Sequence, residues 1–170
     1  MTIRSIVFYP DPGLTEPCAP VAAFDGDLHT LLDDMAETMI DAVGIGLAAP
    51  QIGVSKRVAV IDISEEQNDP IELINPEIVS RSGAVPSEEG CLSIPRYRDT
   101  IKRSAAVVVK AQNRLGEWYE LKGEGLLSMA LQHEIDHLDG VLFIDHLSRI
   151  KREMFRRWVK KQGGVLTPED

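Results

Sequence analysis

The stretch Gln132-His133-Glu134-Ile135-Asp136-His137-Leu138-Asp139-Gly140 decides how the rest of the chain is read. Two histidines four residues apart share one face of an α-helix. Both imidazoles can therefore reach a single metal ion, with Glu134 beside it, rotated by roughly 100° from His133. A hydrolytic metal site uses three protein ligands and keeps one position open. His133 and His137 supply two, and the third must come from elsewhere in the chain. Histidines at this spacing also cap, pair or satisfy a core contact, so the motif alone leaves both readings standing.

Around that motif the helix is predicted to start near Glu124 and to stop at Gly140. Leu126, Met129 and Ala130 precede His133 by seven, four and three residues and so lie on its face. That apolar wall suits core packing and a substrate side chain equally. Upstream, the runs 106–110 and 118–121 flank a turn at 113–116 and read as a hairpin, and 57–63, 71–74 and 78–79 are β-branched. Before them, Leu28, Leu31, Leu32, Met35, Met39 and Val43 recur at three- and four-residue steps. They mark an amphipathic helix capped by Asp25 or Asp27 and stopped by Gly44. Residues 1–24, with Pro10, Pro12, Pro17 and Pro20, read as an extended arm, and Cys18 within it as a small buried side chain. Downstream, Ser148 opens a last helix, 149–161, with Met154, Phe155 and Trp158 as its apolar stripe and a Lys/Arg face left wet. Helices segregated from strands predict an α+β fold, antiparallel β-sheets packed around the HExxH helix with an N-terminal amphipathic helix and a C-terminal helix.

The chain has 170 residues, 44% of them hydrophobic. That length suits one domain over 1–170, burying about 70% of its unfolded surface. A net charge of -9 disfavours nucleic-acid binding by the domain as a whole. The basic last helix is the one exception, where weak contact with ribosomal RNA is an expectation. No apolar run is long enough to span a membrane, and residues 1–10 lack a signal-peptide pattern. The expected location is cytoplasmic. Two cysteines are too few for a disulfide framework.

The second cysteine lies in Glu88-Glu89-Gly90-Cys91-Leu92-Ser93-Ile94-Pro95, where Gly and Pro imply irregular or strand-edge backbone able to aim a sulfur. Alone it would read as a packed core thiol. With His133 and His137 it completes one thiolate and two imidazoles, a set suited to zinc or ferrous iron. A metal so held lowers the pKa of water from about 15.7 toward roughly 7, and Glu134 is placed to shuttle the proton. Charge developing on an attacked carbonyl needs donors, which the Gln51 amide and the Leu92 backbone N–H can offer. Gly44-Ile45-Gly46-Leu47-Ala48-Ala49-Pro50-Gln51-Ile52-Gly53 is either a structural turn or an exposed edge that hydrogen-bonds an extended ligand.

Three of these stretches, 44–51, 89–93 and 132–137, resemble the signature motifs of the peptide deformylases, in the same order. Tyr9-Pro10-Asp11-Pro12, Leu73-Ile74-Asn75-Pro76 and Asp145-His146-Leu147-Ser148 are similar to that family as well, so the likeness covers nearly the whole chain. It implies a hydrolase that removes the N-formyl group from the formylmethionine of newly synthesised proteins, releasing formate, by attack of metal-bound hydroxide on the formyl carbonyl. It further implies Cys91, His133 and His137 as metal ligands, Glu134 as acid/base, and Gln51 with the Leu92 amide as oxyanion donors. Gly46 would contact the peptide backbone, Ile45, Leu126 and Met129 would border the methionine pocket, and Arg98 would help place the substrate. The cofactor implied is one Fe2+ per chain, with Ni2+, Co2+ or Zn2+ able to substitute. The linkers 64–70 and 96–100 are where peptide preference is expected to differ. The rivals are a generic HExxH metallopeptidase, a Cys91 nucleophile with His133 as base, and a structural metal site or inactive formyl-peptide-binding module.

Overall fold

A computed structural model describes residues 2–168. In chain order its helices and strands are α1 (Gly26–Asp41), β1 (Gly46–Ala48), β2 (Val58–Ile61), β3 (Ile71–Ser82), β4 (Val85–Cys91), β5 (Ile94–Arg103), β6 (Ala106–Gln112), β7 (Trp118–Glu124), α2 (Gly125–Leu138) and α3 (Arg149–Lys161), with short 3-10 turns between some of them. Strands β1-β2-β3-β6-β7 form one antiparallel sheet and β4-β5 a separate hairpin.

The period-two alternation of β2 explains how the sheet is covered on both faces. Ala59 and Ile61 pack with Ala130, Leu131, Ile135 and Leu138 of α2. Val58 and Val60 face the other way, against Leu28, Leu31, Leu32, Met35 and Met39 of α1. A third cluster joins Phe155 and Val159 of α3 to Ile94 and Ile101 of β5 and to Leu14 of the N-terminal arm. The α2 helix is thus apolar toward the sheet, while its histidine face is turned toward β4, and the metal motif comes to lie inside the molecule. The arm is tied to segments that flank the site: Val7 N–H donates to the Gln51 carbonyl and Tyr9 N–H to that of Ser93.

Several boundaries differ from those expected. Asp25 is the cap of α1, accepting from Leu28 N–H, but the helix does not end on Gly44. Its left-handed C-terminal residue is Val43, at φ 58°, and Gly44 follows with its N–H on the Met39 carbonyl. The two β-branched runs around Asn75-Pro76 are one strand, β3. Asn75 adopts φ 51°, the register slips there, and its side chain bonds both Val21 and Gln112. Residues 96–100, expected as a linker, belong to β5. The Gly44 to Gly53 segment contains a short edge strand, β1, followed by a 3-10 turn. Among the described residues no helix is long and apolar enough to cross a membrane.

Candidate metal centre and active site

Cys91 ends β4, and the packing of the β4-β5 hairpin on α2 brings its sulfur to the two histidines. Cys91 Sγ lies 3.4 Å from His137 Nε2, which lies 3.3 Å from His133 Nε2. All three donor atoms fall within 4.8 Å of one another. Around a tetrahedral ion with bonds of about 2.0–2.3 Å, neighbouring donors sit roughly 3.3–3.7 Å apart; the two distances through His137 Nε2 match that spacing and the three residues fit one ion. Both histidines are buried.

The residues behind the donors fix their orientation. His133 Nδ1 is 2.9 Å from Glu89 Oε1, which turns Nε2 toward the shared point. Glu89 in turn takes a two-pronged ion pair from Arg103, through Nε at 2.8 Å and Nη2 at 2.9 Å. Arg103 Nη1 also donates to Asp136 at 2.6 Å, and Asp136 meets His146 at 2.8 Å. Burial alone would raise Glu89; hydrogen bonds from Arg103 and His133 outweigh it and hold its carboxyl at about 2. Burial opposes charge on His133 too, but Glu134, the Cys91 sulfur and Glu89 outweigh it, so this point favours positive charge. His137 is held well below the ordinary imidazole range by burial and by the charges of His133 and Arg103. A neutral ring is the form that ligates a metal.

Glu134 is the other buried group of the site. Its Oε1 has no hydrogen-bond partner among the described residues. Burial, reinforced by Glu89 and Asp136 against the opposing pull of His133 and Arg103, pushes its carboxyl up to about 7. A carboxyl poised near neutrality can accept a proton and return it. Gly46 is pressed against it: a Cβ at that position would overlap the Glu134 carboxylate, so only glycine lets β1 pass so close. Gln51 is buried, with Oε1 accepting from Ala48 N–H and Nε2 donating to Ser93 Oγ at 3.1 Å and toward Cys91 Sγ at 3.5 Å.

A cavity of about 780 Å³ opens beside these groups. Ile45, Gly46, Gln51, Cys91, Leu92, Leu126, Met129, His133 and Glu134 line it, while His137 lies behind, against Cys91 and His133. Leu126 is half exposed at the mouth. Arg98, on β5, stands at the rim and pairs with Glu88 at 3.3 Å. The structure therefore brings together the residues singled out as metal ligands, acid/base, oxyanion donors and substrate contacts, with His137 behind the cleft wall and Arg98 at the rim. The sequence reading missed Arg103, Asp136 and Ser93 as supports and Val43, Glu88 and Tyr97 as lining residues. Glu89 carried a signal, a carboxylate two places from the cysteine, whereas Arg103 had no local mark.

Comparison with known proteins agrees with this architecture. Residues 3–153 match the sequence profile of the family described as polypeptide deformylase. The peptide deformylase of Acidobacterium capsulatum is 56% identical over 163 residues, covering 95% of this chain and 96% of that protein. That of Alkalilimnicola ehrlichii is 51% identical over 169 residues, covering 97% and 95%. Among solved structures, a peptide deformylase from Legionella pneumophila superposes with a TM-score of 0.90 at 52% identity, covering 95% of this chain and 96% of that one. One from Ehrlichia chaffeensis in complex with actinonin gives 0.89 at 41% identity, covering 95% and 98%. On profile, identity and fold together, the chain belongs to the polypeptide deformylase family.

Proposed function

We propose that this chain removes the N-formyl group from the formylmethionine that begins newly synthesised polypeptides, releasing formate, and that residues 1–170 form one catalytic domain. The observation that carries this reading is the buried, unpartnered Glu134 oxygen beside three converging metal donors. A structural metal site would have no use for it.

The donor set is Cys91 Sγ with the Nε2 atoms of His133 and His137. A divalent ion bound there supplies Lewis-acid polarisation of the formyl carbonyl and a lowered pKa for water. Glu134 takes the proton released as water adds to the formyl carbon, then delivers it to the departing nitrogen as the C–N bond breaks. Gln51 Nε2 and the Leu92 N–H donate to the developing oxyanion. Gly46 admits the peptide backbone beside Glu134, and Ile45, Leu126 and Met129 receive the methionine side chain. Arg98 at the rim helps place the rest of the peptide. Glu89 and Arg103 hold His133 in position.

One thiolate with two imidazoles suits zinc or ferrous iron; family membership, not the donor set, favours ferrous iron, with nickel, cobalt or zinc as substitutes. Formate release from formyl-Met-Ala-Ser by anaerobically purified protein, with metal analysis of the same sample, tests activity and ion together. Release without a bound ion, or persistence after chelation, would sink the metal reading in favour of Cys91 as nucleophile. The reaction belongs in the cytoplasm, where such polypeptides emerge. The exposed cations of α3, Arg156, Arg157, Lys160 and Lys161 among them, provide a weak ribosome contact. Binding to ribosomes that falls with salt and with Arg156→Glu/Lys160→Glu is the expected result, and unchanged binding removes the contact.

A further inference from the structure

We propose that Val43 is a specificity-determining residue, forming an apolar lip against which a substrate side chain following the formylmethionine packs. This inference rests on the deformylation reading above. It starts from a residue that does not suit its backbone. Val43 sits at φ 58° as the left-handed residue closing α1, with its N–H on the Ile40 carbonyl at 3.0 Å and the Gly44 N–H on that of Met39 at 2.9 Å. This motif takes glycine or asparagine at that place, because a β-branched side chain is strained there. Val43 is also 88% exposed, so packing does not compensate. The fold asks for glycine and the chain supplies an isopropyl group in water.

Its position gives that group a use. Val43 lines the cavity that holds Cys91, His133 and Glu134. It lies three residues before Gly46, which abuts Glu134. Strand β1 is an outer strand of its sheet, and its inner end, Leu47 and Ala48, is fully buried. A peptide extended along this edge with its formyl group at Glu134 runs outward past Ile45, Gly44 and Val43. Val43 lies on the turn between α1 and β1, beyond the strand that abuts Glu134, and so faces the substrate residues that follow the methionine. The lip is held in place: Gln67 Nε2 donates to the Gly44 carbonyl at 2.8 Å. Across the cavity, Glu88 and Arg98 pair with each other, so neither presents an uncompensated charge there.

The test compares formyl-Met-Leu-Ser with formyl-Met-Asn-Ser, and formyl-Met-Ala-Leu with formyl-Met-Ala-Asn, using wild type, V43N, V43G and V43I. Leucine and asparagine are close in size, so the ratio of kcat/KM reads apolar contact. Wild type and V43I should favour leucine at one of the two positions by about three- to tenfold, as a partly buried apolar contact allows. V43N and V43G should lose that ratio while their thermal midpoints rise by about 2–4 °C through relief of backbone strain. A purely structural role for Val43 would move the midpoint and leave the ratio alone, which overturns the proposal, as does a wild-type enzyme without preference at either position. Absence of formate release from every peptide overturns the deformylation reading and this inference with it.

Discussion

Glu134 and Gly46 show how closely single side chains are specified at this centre. Glu134 lines the cavity and keeps one carboxylate oxygen buried without a hydrogen-bond partner among the described residues, an arrangement that costs stability unless water or substrate uses it. Replacing Glu134 by Ala should leave bound metal nearly intact and lower turnover by at least about a hundredfold, as loss of a positioned acid/base does. Metal analysis and formate release on one preparation check both halves, and unchanged turnover would remove Glu134 from the reaction. Gly46 is the complementary case. Gly46→Ala would drive a methyl group into Glu134, so turnover should fall although no reacting atom is removed, and metal content again serves as the control.

At the scale of elements, Arg103 ties β5 to β4 and to α2 by pairing with Glu89 and Asp136 while almost wholly buried. Removing one partner of a buried ion pair leaves the others uncompensated, at about 3–5 kcal/mol. Arg103→Ala should therefore lower the thermal midpoint by roughly 6–20 °C for a chain of this size. It should also loosen metal binding, because Glu89 is what holds His133 Nδ1. Arg103→Lys keeps the charge but loses the planar fork and should fall between the two. Calorimetry with a metal titration separates the effects. The second tie is Asn75, whose side chain joins the arm at Val21 to β6 at Gln112, explaining why Asn75-Pro76 lies within a strand instead of ending it.

For the molecule as a whole, acid should be destabilising even without metal. The Glu89 carboxyl titrates at about 2 in the folded chain against an ordinary value of 4.5. Its contribution is complete above 4.5, is lost as pH falls toward 2, and amounts to about 3 kcal/mol at most. Unfolding of chelator-treated protein should show this slope, and Glu89→Gln should flatten it; a midpoint independent of pH between 5 and 3 would contradict the assignment. Restoring the metal should raise the midpoint at neutral pH in proportion to the logarithm of free metal concentration, since the ion binds a site that only the folded chain assembles.

The contrast between what was and was not legible follows from range. Local periodicity is written in neighbouring residues, so α1, α2 and α3 could be read directly, and with them the shared face of His133 and His137. The hairpin of β6 and β7 was legible for the same reason, through its turn at 113–116. Strands β4 and β5 were not, because much of β4-β5 is exposed and the charged residues Glu89, Asp99 and Arg103 occupy positions on its inward face that an apolar alternation would fill. Nor was Val43 as the closing residue of α1, since local rules assign that place to the glycine beside it. The sequence by itself determined the donor residue types, the helix that carries two of them and the family resemblance of the motifs. Only the tertiary structure decided that the Cys91 sulfur, 46 residues before His137, meets both rings, and that Arg103 steadies Glu89 behind them. Such meetings depend on the packing of β4-β5 against α2, a long-range outcome that no local spacing encodes.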